Sequence, residues 1–364
     1  MMIFVDAREI QGEVYGVGRY LKNLLREWSA YCKCFTLIFT RKPSFNLPYE
    51  FIILKGDGRW KWEHTKLRKF LNSRKESPYF TPGYTLPLAI KNPAAFVLHD
   101  ISFIDHPEWF NPRERLKLKF LSYTSSKRAS IIFTVSHFSK ERIIERLKVP
   151  AHKIIIAQQG LDPEIRFDPQ AAEKFREKYK IKGKIILYVG AIFRRRNVPL
   201  LIKAFEILKA EINSSLVLVG KNRSWPPFNL EEFIEGNDRI YHFNYLPQEE
   251  LLGAYSAADL FVFLSEYEGF GMTPMEAIAC NTPVILYPAE ALKEIYGESV
   301  LYLEEKSPSL LKDIMLSILE DEELRGKIMK RAKERIKLYS WENGARKIKE
   351  ALFELDPICN NSQL

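Results

Sequence analysis

Residues 260–277 read Leu-Phe-Val-Phe-Leu-Ser-Glu-Tyr-Glu-Gly-Phe-Gly-Met-Thr-Pro-Met-Glu-Ala. The first five residues form an apolar run that is typical of a buried strand. Gly269 and Gly271 then turn the chain, and Thr273-Pro274 predicts a helix with Thr273 as its N-cap and Pro274 as its first residue. A strand joined through a glycine turn to a helix is the unit of parallel sheets covered by helices. This segment therefore predicts an α/β fold.

The same alternation of short apolar runs and amphipathic stretches fills the chain. In the first half the pattern predicts strands near 2–6, 35–40, 51–54, 95–98, 130–135 and 153–157, and helices near 17–30, 62–72, 112–128 and 138–147. A turn-rich stretch at 159–169 interrupts it. In the second half it predicts strands near 185–190, 216–219, 239–243, 259–263, 283–286 and 299–303, followed by a helical tail at 307–355. The sequence thus predicts two doubly wound, Rossmann-like halves, with ligands beyond the carboxyl ends of the strands.

Composition places the chain among soluble globular proteins. Its 364 residues suffice for two domains, and 46% are hydrophobic while 28% are charged. No run approaches the roughly 18 apolar residues of a membrane span. The N-terminus begins with a strand-like run and no basic leader, so we expect a cytoplasmic protein. Four cysteines lack the paired spacing of a zinc site and are expected to be reduced: Cys32, Cys34, Cys280 and Cys359.

Charge is distributed unevenly. Residues 1–160 contain 27 Lys and Arg against 14 Asp and Glu, whereas residues 161–364 contain 28 against 32. A basic first half predicts an anionic partner, such as a membrane surface, a lipid phosphate or nucleic acid, and solvated helix faces are the alternative. Residues 66–75 and 113–128 interleave cations with large apolar side chains, which is typical of a helix on an anionic membrane and also of a half-buried helix. No aromatic-basic module supports nucleic-acid binding.

The chemistry of the 265–277 segment follows from its residue types. Glycines allow a ligand to approach the backbone, and a helix N-terminus offers free N–H groups and positive potential. The segment therefore predicts a phosphate-binding turn beside two carboxylates, Glu268 and Glu276. A capping box of Thr273 and Glu276 would explain Glu276 without a ligand. Helix capping does not account for Glu268 in the same way.

On these residues the segment resembles the signature of glycosyltransferase family 4: Glu268, seven intervening residues and Glu276 around two glycines. The resemblance implies a GT-B fold, in which two Rossmann-like domains face each other, and a retaining transfer of a sugar from a nucleotide donor. It implies that Glu276 holds the donor ribose and that Glu268 lies near the reacting carbon. It also implies that the backbone of the connecting loop binds the donor sugar and diphosphate through Gly269, Phe270, Gly271, Met272 and Thr273.

A second segment resembles the same family. Residues 190–197, Gly-Ala-Ile-Phe-Arg-Arg-Arg-Asn, follow a strand and precede a helix, as the family's diphosphate-binding turn does. Gly190, Arg195 and Arg196 are then expected at the donor, and Arg196 occupies the place of the usual lysine. A fixed cation there would neutralise the leaving diphosphate. We therefore expect no metal and no cofactor, and the chain has no Asp-x-Asp motif.

The first half carries two further matches. Gly16 and Gly18 follow the first strand and open a helix, and in the family this loop reaches the donor phosphates. Taken alone, Gly-x-Gly is weak evidence, because the third glycine of a dinucleotide fingerprint is absent. His99 ends another predicted strand and resembles the family's histidine beside the transferred sugar, so His99 and Glu268 are the predicted catalytic residues. A lone histidine elsewhere is more often structural.

The resemblance also divides the chain. Residues 1–162 are expected to bind the acceptor, and residues 163–340 to bind the nucleotide sugar. The segment Tyr339-Ser340-Trp341-Glu342 is similar to the family's closing segment, so a C-terminal helix at 341–357 should cross back to the first domain.

These observations predict a retaining, metal-independent hexosyltransferase. The 16–20, 99–103 and 106–110 segments most resemble bacterial mannosyltransferases of O-antigen or capsule assembly. The expected donor is therefore GDP-mannose, and the expected acceptor is a glycan or lipid-linked sugar on the inner face of the membrane. The alternatives are a hexosyltransferase of the UDP-glucose type, a non-catalytic nucleotide-sugar-binding protein, and a basic nucleic-acid-binding protein.

Overall fold

A computed structural model describes residues 2–12, 14, 16–43, 46–58 and 60–356. Cys359 lies outside these ranges, and Cys32, Cys34 and Cys280 are free thiols. The chain forms two compact units. The first unit comprises residues up to Asp105, Pro112–Gly160 and the segment from Ser340, and the second comprises His106–Asn111 and Leu161–Tyr339.

The first unit is built on a seven-stranded parallel sheet. Its strands are Ile3–Asp6 (β1), Phe35–Phe39 (β2), Glu50–Ile53 (β3), Tyr79–Thr81 (β4), Ala94–Val97 (β5), Ile131–Thr134 (β6) and Ile154–Ile156 (β7). They lie in the order β3-β2-β1-β4-β5-β6-β7. Apart from β4, these strands lie where the sequence predicts them. Four of the strands, β1, β2, β4 and β5, are buried at every residue, as expected of a parallel sheet covered on both faces.

The second unit contains a six-stranded parallel sheet. Its strands are Lys184–Val189 (β8), Ser214–Val219 (β9), Ile240–Phe243 (β10), Leu260–Phe263 (β11), Val284–Leu286 (β12) and Leu301–Tyr302 (β13). They lie in the order β10-β9-β8-β11-β12-β13. The prediction of two Rossmann-like halves is confirmed.

Helices cover both sheets. Those of the first unit include Gly16–Glu27, Trp60–Trp62, Arg68–Asn72, Pro112–Arg128, His137–Leu147 and Trp341–Glu354, with a π-helical turn at Glu63–Leu67. Those of the second unit include Pro169–Tyr179, Val198–Leu208, Gln248–Ala257, Met272–Ala279, Glu290–Tyr296, Pro308–Glu320 and Glu322–Ile336. Within the described residues, no helix combines the length and the hydropathy needed to cross a bilayer.

The C-terminal helix Trp341–Glu354 packs on the first unit, as the sequence predicts. Ser340 caps it by accepting a hydrogen bond from the Asn343 N–H. The Trp28 indole Nε1 donates to the Ala345 carbonyl at 2.9 Å. Gly344 lies so close to the preceding backbone that an added Cβ would be 2.1 Å from the Gln158 carbonyl oxygen. The helix is therefore held by backbone contact that only glycine permits at this position.

We predict opposite effects for two helical glycines. Gly344→Ala should lower the free energy of unfolding by about 1–3 kcal/mol, because the methyl group overpacks the Gln158 contact. Gly326→Ala, in the helix Glu322–Ile336, should raise it by about 0.5–1 kcal/mol, because nothing lies within 4 Å of its added Cβ and alanine favours helix. Urea unfolding of both variants measures the difference. Equal stabilisation by the two substitutions would contradict the close contact.

Candidate active site

Each sheet has one position at which the strand order reverses. In the second unit, β9 and β10 lie on one side of β8, and β11 lies on the other. Ligands of doubly wound folds bind beyond the carboxyl ends of the strands at such a reversal. The segments after β8 and β11 are the two that the sequence predicts to bind the donor.

Arg196 and Glu268 form an ion pair at this reversal. Glu268 Oε1 accepts from Arg196 Nε at 2.9 Å and lies 2.8 Å from Nη2. The Ser265 hydroxyl donates to the same oxygen at 2.8 Å. Arg196 Nη1 also donates to the Ala191 carbonyl at 3.0 Å. The two predicted site residues are thus joined directly, and Ser265, which the sequence did not single out, supports the carboxylate.

The ion pair is largely enclosed by protein. The side chains of Arg196 and Glu268 are only 14% and 12% exposed, and the Phe263 ring lies 5.0 Å from the guanidinium carbon. Burial opposes the charge on Arg196, but the attraction of Glu268 and Tyr188 outweighs it, so the pKa of Arg196 stays above its ordinary value. An added Cβ at Gly190 would lie 2.5 Å from Arg196 Nη1. Glycine at 190 therefore makes room for the guanidinium.

Arg195 differs from its neighbour. It is 8% exposed, and its Nε is buried without a hydrogen-bond partner in the described part of the chain. Its guanidinium stacks over the Phe193 ring at 4.5 Å. A buried, charged donor without a partner is costly in a folded protein unless a ligand or water satisfies it. Of the two predicted donor cations, Arg195 is the one with a buried nitrogen that no described residue hydrogen-bonds.

The helix after the glycine turn begins two residues earlier than predicted. Its bounds are Met272–Ala279, and its N-cap is Gly271 at φ 93°, with no side-chain cap. The prediction of Thr273 as N-cap is therefore wrong. An added Cβ at Gly271 would lie 2.5 Å from Leu292 Cδ2, so both the left-handed backbone and the packing favour glycine. Without a capping side chain, the N-terminal N–H groups of the helix can bind an anion.

Glu276 has no exposed surface. Its Oε2 accepts a hydrogen bond from the Tyr255 hydroxyl at 2.7 Å. Because Gly271 and not Thr273 is the N-cap, the capping-box interpretation is also wrong. A ribose can reach this carboxylate only if neighbouring side chains move. Phe270 is likewise buried and packs edge-on against Tyr339 at 5.4 Å. Gly269 is buried, whereas Met272 and Thr273 are partly exposed.

The predicted residues of the first unit have different surroundings. His99 Nε2 lies 3.0 Å from the Pro82 carbonyl and therefore carries the proton. Burial lowers the pKa of His99, although the Pro82 hydrogen bond and the charge of Asp100 oppose this, so the ring is neutral at neutral pH. Gly18 packs against the Glu9 carbonyl, which would lie 2.3 Å from an added Cβ, whereas Gly16 is exposed. The close packing of the helix explains Gly18 without a ligand.

The described ranges contain no group of three or more His, Cys, Asp or Glu side chains arranged to hold a metal ion. A second polar cluster, which the sequence analysis did not find, lies at the end of β1. There Arg8 bonds to Asp6 and to Glu63. The sequence feature that could have indicated this cluster is a polar residue directly after the apolar run of the first strand.

Solved structures of other proteins have the same fold. The glycosyltransferase WaaG, involved in lipopolysaccharide biosynthesis, superposes with a TM-score of 0.76 over 97% of this chain and 99% of its own, at 16% identity. HepE of Anabaena in complex with UDP-glucose also superposes with a TM-score of 0.76, over 97% of this chain and 99% of its own, at 16% identity. These similarities establish the GT-B fold.

Sequence comparison gives the family. Residues 170–335 match the family described as glycosyl transferases group 1. The O-antigen chain mannosyltransferase B of Escherichia coli is 30% identical over 281 residues, which cover 75% of this chain and 73% of the relative. The chain belongs to the glycosyl transferases group 1 family and is a glycosyltransferase.

We predict that Arg196 and Glu268 depend on each other for stability. Arg196→Met should lower the free energy of unfolding by about 3–5 kcal/mol, because it leaves the Glu268 charge buried and uncompensated. The double variant Arg196→Met/Glu268→Gln should recover at least half of this loss. Arg194→Met is the matched control, because Arg194 is exposed and should change stability by no more than about 0.5 kcal/mol. Denaturant unfolding measures all three, and equal losses in the single and double variants would contradict the coupling.

Proposed function

We propose that the protein transfers mannose from GDP-mannose to a glycan or lipid-linked sugar acceptor during cell-surface polysaccharide synthesis, with retention of configuration and without a metal. The observation that carries this proposal is the group of Arg195, Arg196 and Glu268 at the strand-order reversal of the second sheet. The likeness to the O-antigen mannosyltransferase of Escherichia coli supports mannose as the transferred sugar.

The donor diphosphate is proposed to bind between the 190–197 turn and the N-terminus of the helix Met272–Ala279. Arg195 would contribute its unpartnered Nε, and the helix would contribute backbone N–H groups. An arriving diphosphate also competes with Glu268 for Arg196. Donor binding would thus free the Glu268 carboxylate from part of its ion pair, beside the sugar that is to be transferred.

The proposed reaction takes place on one face of the sugar. The bond between the anomeric carbon and the diphosphate oxygen breaks, and an acceptor hydroxyl oxygen bonds to the same carbon. The departing diphosphate takes the hydroxyl proton, and the arginines stabilise its negative charge. Glu268 is held by Arg196 and Ser265, which supports electrostatic stabilisation of the positive charge on the sugar rather than nucleophilic attack. His99, neutral and fixed by Pro82, is proposed to position the sugar.

We predict that GDP binds to the protein in the presence of EDTA, and that Arg195→Met weakens this binding about tenfold to a hundredfold. The reason is the loss of one charge-assisted hydrogen bond to the diphosphate. Calorimetry with GDP, UDP and ADP measures both the base preference and the effect of the substitution. Arg194→Met, which removes an exposed cation from the same turn, is the control.

Transfer assays in EDTA then separate the alternatives. Glu268→Gln should retain GDP affinity within a few-fold and lose turnover by roughly a hundredfold, because its charge acts in the transition state. Tighter binding of UDP than of GDP would replace mannose with a UDP-linked hexose as the donor sugar. Nucleotide binding without transfer would indicate a non-catalytic nucleotide-sugar-binding protein. Loss of activity in EDTA, restored by magnesium, would contradict the metal-independent mechanism.

The helix Pro112–Arg128 supports the proposal that the protein works at the inner face of the cell membrane. Leu116, Phe120 and Tyr123 are 57%, 59% and 48% exposed, and their spacing places them on one face of the helix. Most of the residues that this helix buries are serines. Exposed lysines such as Lys119 and Lys127 flank the apolar face, so the helix combines an apolar surface with positive charge. The basic stretch at 66–75 differs, because Leu67 and Leu71 are fully buried.

We predict reversible, salt-sensitive attachment to anionic membranes. The protein should co-float with phosphatidylglycerol vesicles at low salt and detach near half-molar salt, because screening weakens the attraction of the lysines. Leu116→Ser/Phe120→Ser should reduce vesicle binding at least tenfold by removing the inserted apolar surface. Leu338→Ser, at an equally exposed leucine of the second unit, is the control. This mode of attachment would be contradicted if the protein floated equally well with neutral phosphatidylcholine vesicles. It would also be contradicted if the double variant floated as well as the unmodified protein.

A further inference from the structure

The first unit contains a cavity of about 430 Å³ at the carboxyl edge of its sheet. Asp6 ends β1, Thr40 follows β2, and Thr81 ends β4, and all three line the cavity. In this sheet the strand order reverses between β1 and β4. The cavity therefore lies where doubly wound folds bind ligands, and its volume is within the range of small-molecule sites.

Arg8, the cation among the residues that line this cavity, is already engaged by protein groups. Its Nε and Nη2 donate to the Asp6 carboxylate at 2.9 and 2.6 Å. Nη2 also donates to Glu63 Oε2 at 3.0 Å, and Nη1 donates to the Gly58 carbonyl. Because two carboxylates already hold the guanidinium, Arg8 is neutralised and cannot act as a site for a phosphate.

The remaining charged groups leave the cavity negative. Among the described residues that line it, four carry carboxylates, Asp6, Glu9, Asp57 and Glu63, and one carries a guanidinium. Glu9 is exposed and forms no hydrogen bond or ion pair in the described part of the chain. Although the residue as a whole is exposed, partial desolvation of its carboxyl group and the nearby charge of Asp6 raise the pKa of Glu9, and Arg8 opposes this.

Uncharged polar groups complete the lining. Thr40, Thr81 and Gln11 contribute hydroxyl and amide groups. Gln11 and Thr40 are hydrogen-bonded to each other, with the Thr40 N–H donating to Gln11 Oε1 at 2.7 Å, so this wall is held in one arrangement. Tyr84 contributes an aromatic ring that is fixed by a hydrogen bond from its hydroxyl to Asp100 at 3.0 Å. Carboxylates accept hydrogen bonds from hydroxyl groups, and they repel phosphates and other carboxylates.

We infer that this cavity binds an uncharged sugar unit of the acceptor through its hydroxyl groups, and that Glu9 selects against phosphorylated and carboxylated sugars. The inference rests on the proposed glycosyl transfer and specifies its acceptor. A lipid-linked acceptor would accordingly place an uncharged sugar in the cavity and keep its phosphate groups outside. Glu9 is the specificity-determining residue, because its carboxylate is unpaired and accessible.

The test uses the full chain without donor, and binding is followed by ligand-observed NMR. The neutral probes are methyl α-D-mannopyranoside, methyl β-D-glucopyranoside and methyl N-acetyl-β-D-glucosaminide, and the anionic probe is mannose 6-phosphate. At least one neutral glycoside should bind, and mannose 6-phosphate should bind at least tenfold more weakly than that glycoside. Glu9→Gln should weaken binding of the neutral glycoside about tenfold, since it removes a charged hydrogen-bond acceptor. Glu9→Gln should also reduce the ratio between the affinity for the neutral glycoside and the affinity for mannose 6-phosphate.

Glu50→Gln is the matched control, because Glu50 is exposed and begins β3 at the opposite, amino edge of the same sheet. It should leave all probes unaffected, and thermal unfolding checks that both variants fold. Thr81→Val supplies a second cavity variant and should also weaken the neutral glycoside. Absence of binding by every neutral glycoside, or tighter binding of mannose 6-phosphate, would overturn the inference.

Transfer assays distinguish this inference from the proposed function. If GDP-mannose is turned over and Glu9→Gln leaves the acceptor KM unchanged, the cavity assignment fails while the proposed function stands. If a neutral glycoside binds in a Glu9-dependent manner and no sugar is transferred from any nucleotide donor, the proposed function fails while the cavity remains a sugar-binding site.

Discussion

Reversal of strand order is the constraint on which this protein depends. A parallel sheet that is wound first in one direction and then in the other leaves a crevice where the two sets of crossing helices diverge. Both units have this topology, with the reversal between β1 and β4 in one and between β8 and β11 in the other. The charged clusters described above, Arg8–Asp6–Glu63 and Arg196–Glu268, both lie at these positions. The fold therefore supplies the two crevices, and a few polar residues at the strand ends determine what each can bind.

Both clusters consist of arginine paired with carboxylate side chains, but the numbers of arginines and carboxylates differ. In the second unit one carboxylate pairs with Arg196, and the Nε of the neighbouring Arg195 is buried without a hydrogen-bond partner among the described residues. In the first unit two carboxylates hold one arginine. The cluster of the first unit thus has an excess of negative charge, whereas the ion pair of the second unit is balanced and lies next to a further arginine. That difference suits a diphosphate in the second unit and hydroxyl groups in the first, although both units have the same architecture.

Sequence patterns predicted most of the strands because buried parallel strands are continuous apolar runs. They missed β4, Tyr79–Thr81, which has three residues between Pro78 and Pro82 and is a strand only through its pairing with β1 and β5. Glu268 could be predicted from its glycine turn, but its pairing with Arg196 could not, because 72 residues separate them. The hydrogen bond from Tyr255 to Glu276 has no local signal for the same reason. Local pattern thus predicted the candidate site segments, and long-range packing determined the partners of each side chain.

The position of the helix Trp341–Glu354 has a consequence for biosynthesis. Because Gly344 packs on Gln158 and Trp28 donates to Ala345, the first unit is completed by a segment that leaves the ribosome after the whole of the second unit. The second unit is almost contiguous in sequence, and all of its residues are synthesised before this helix. Domains generally fold during synthesis in order of appearance, and here that order is inverted: the N-terminal unit reaches its final packing after the unit that follows it.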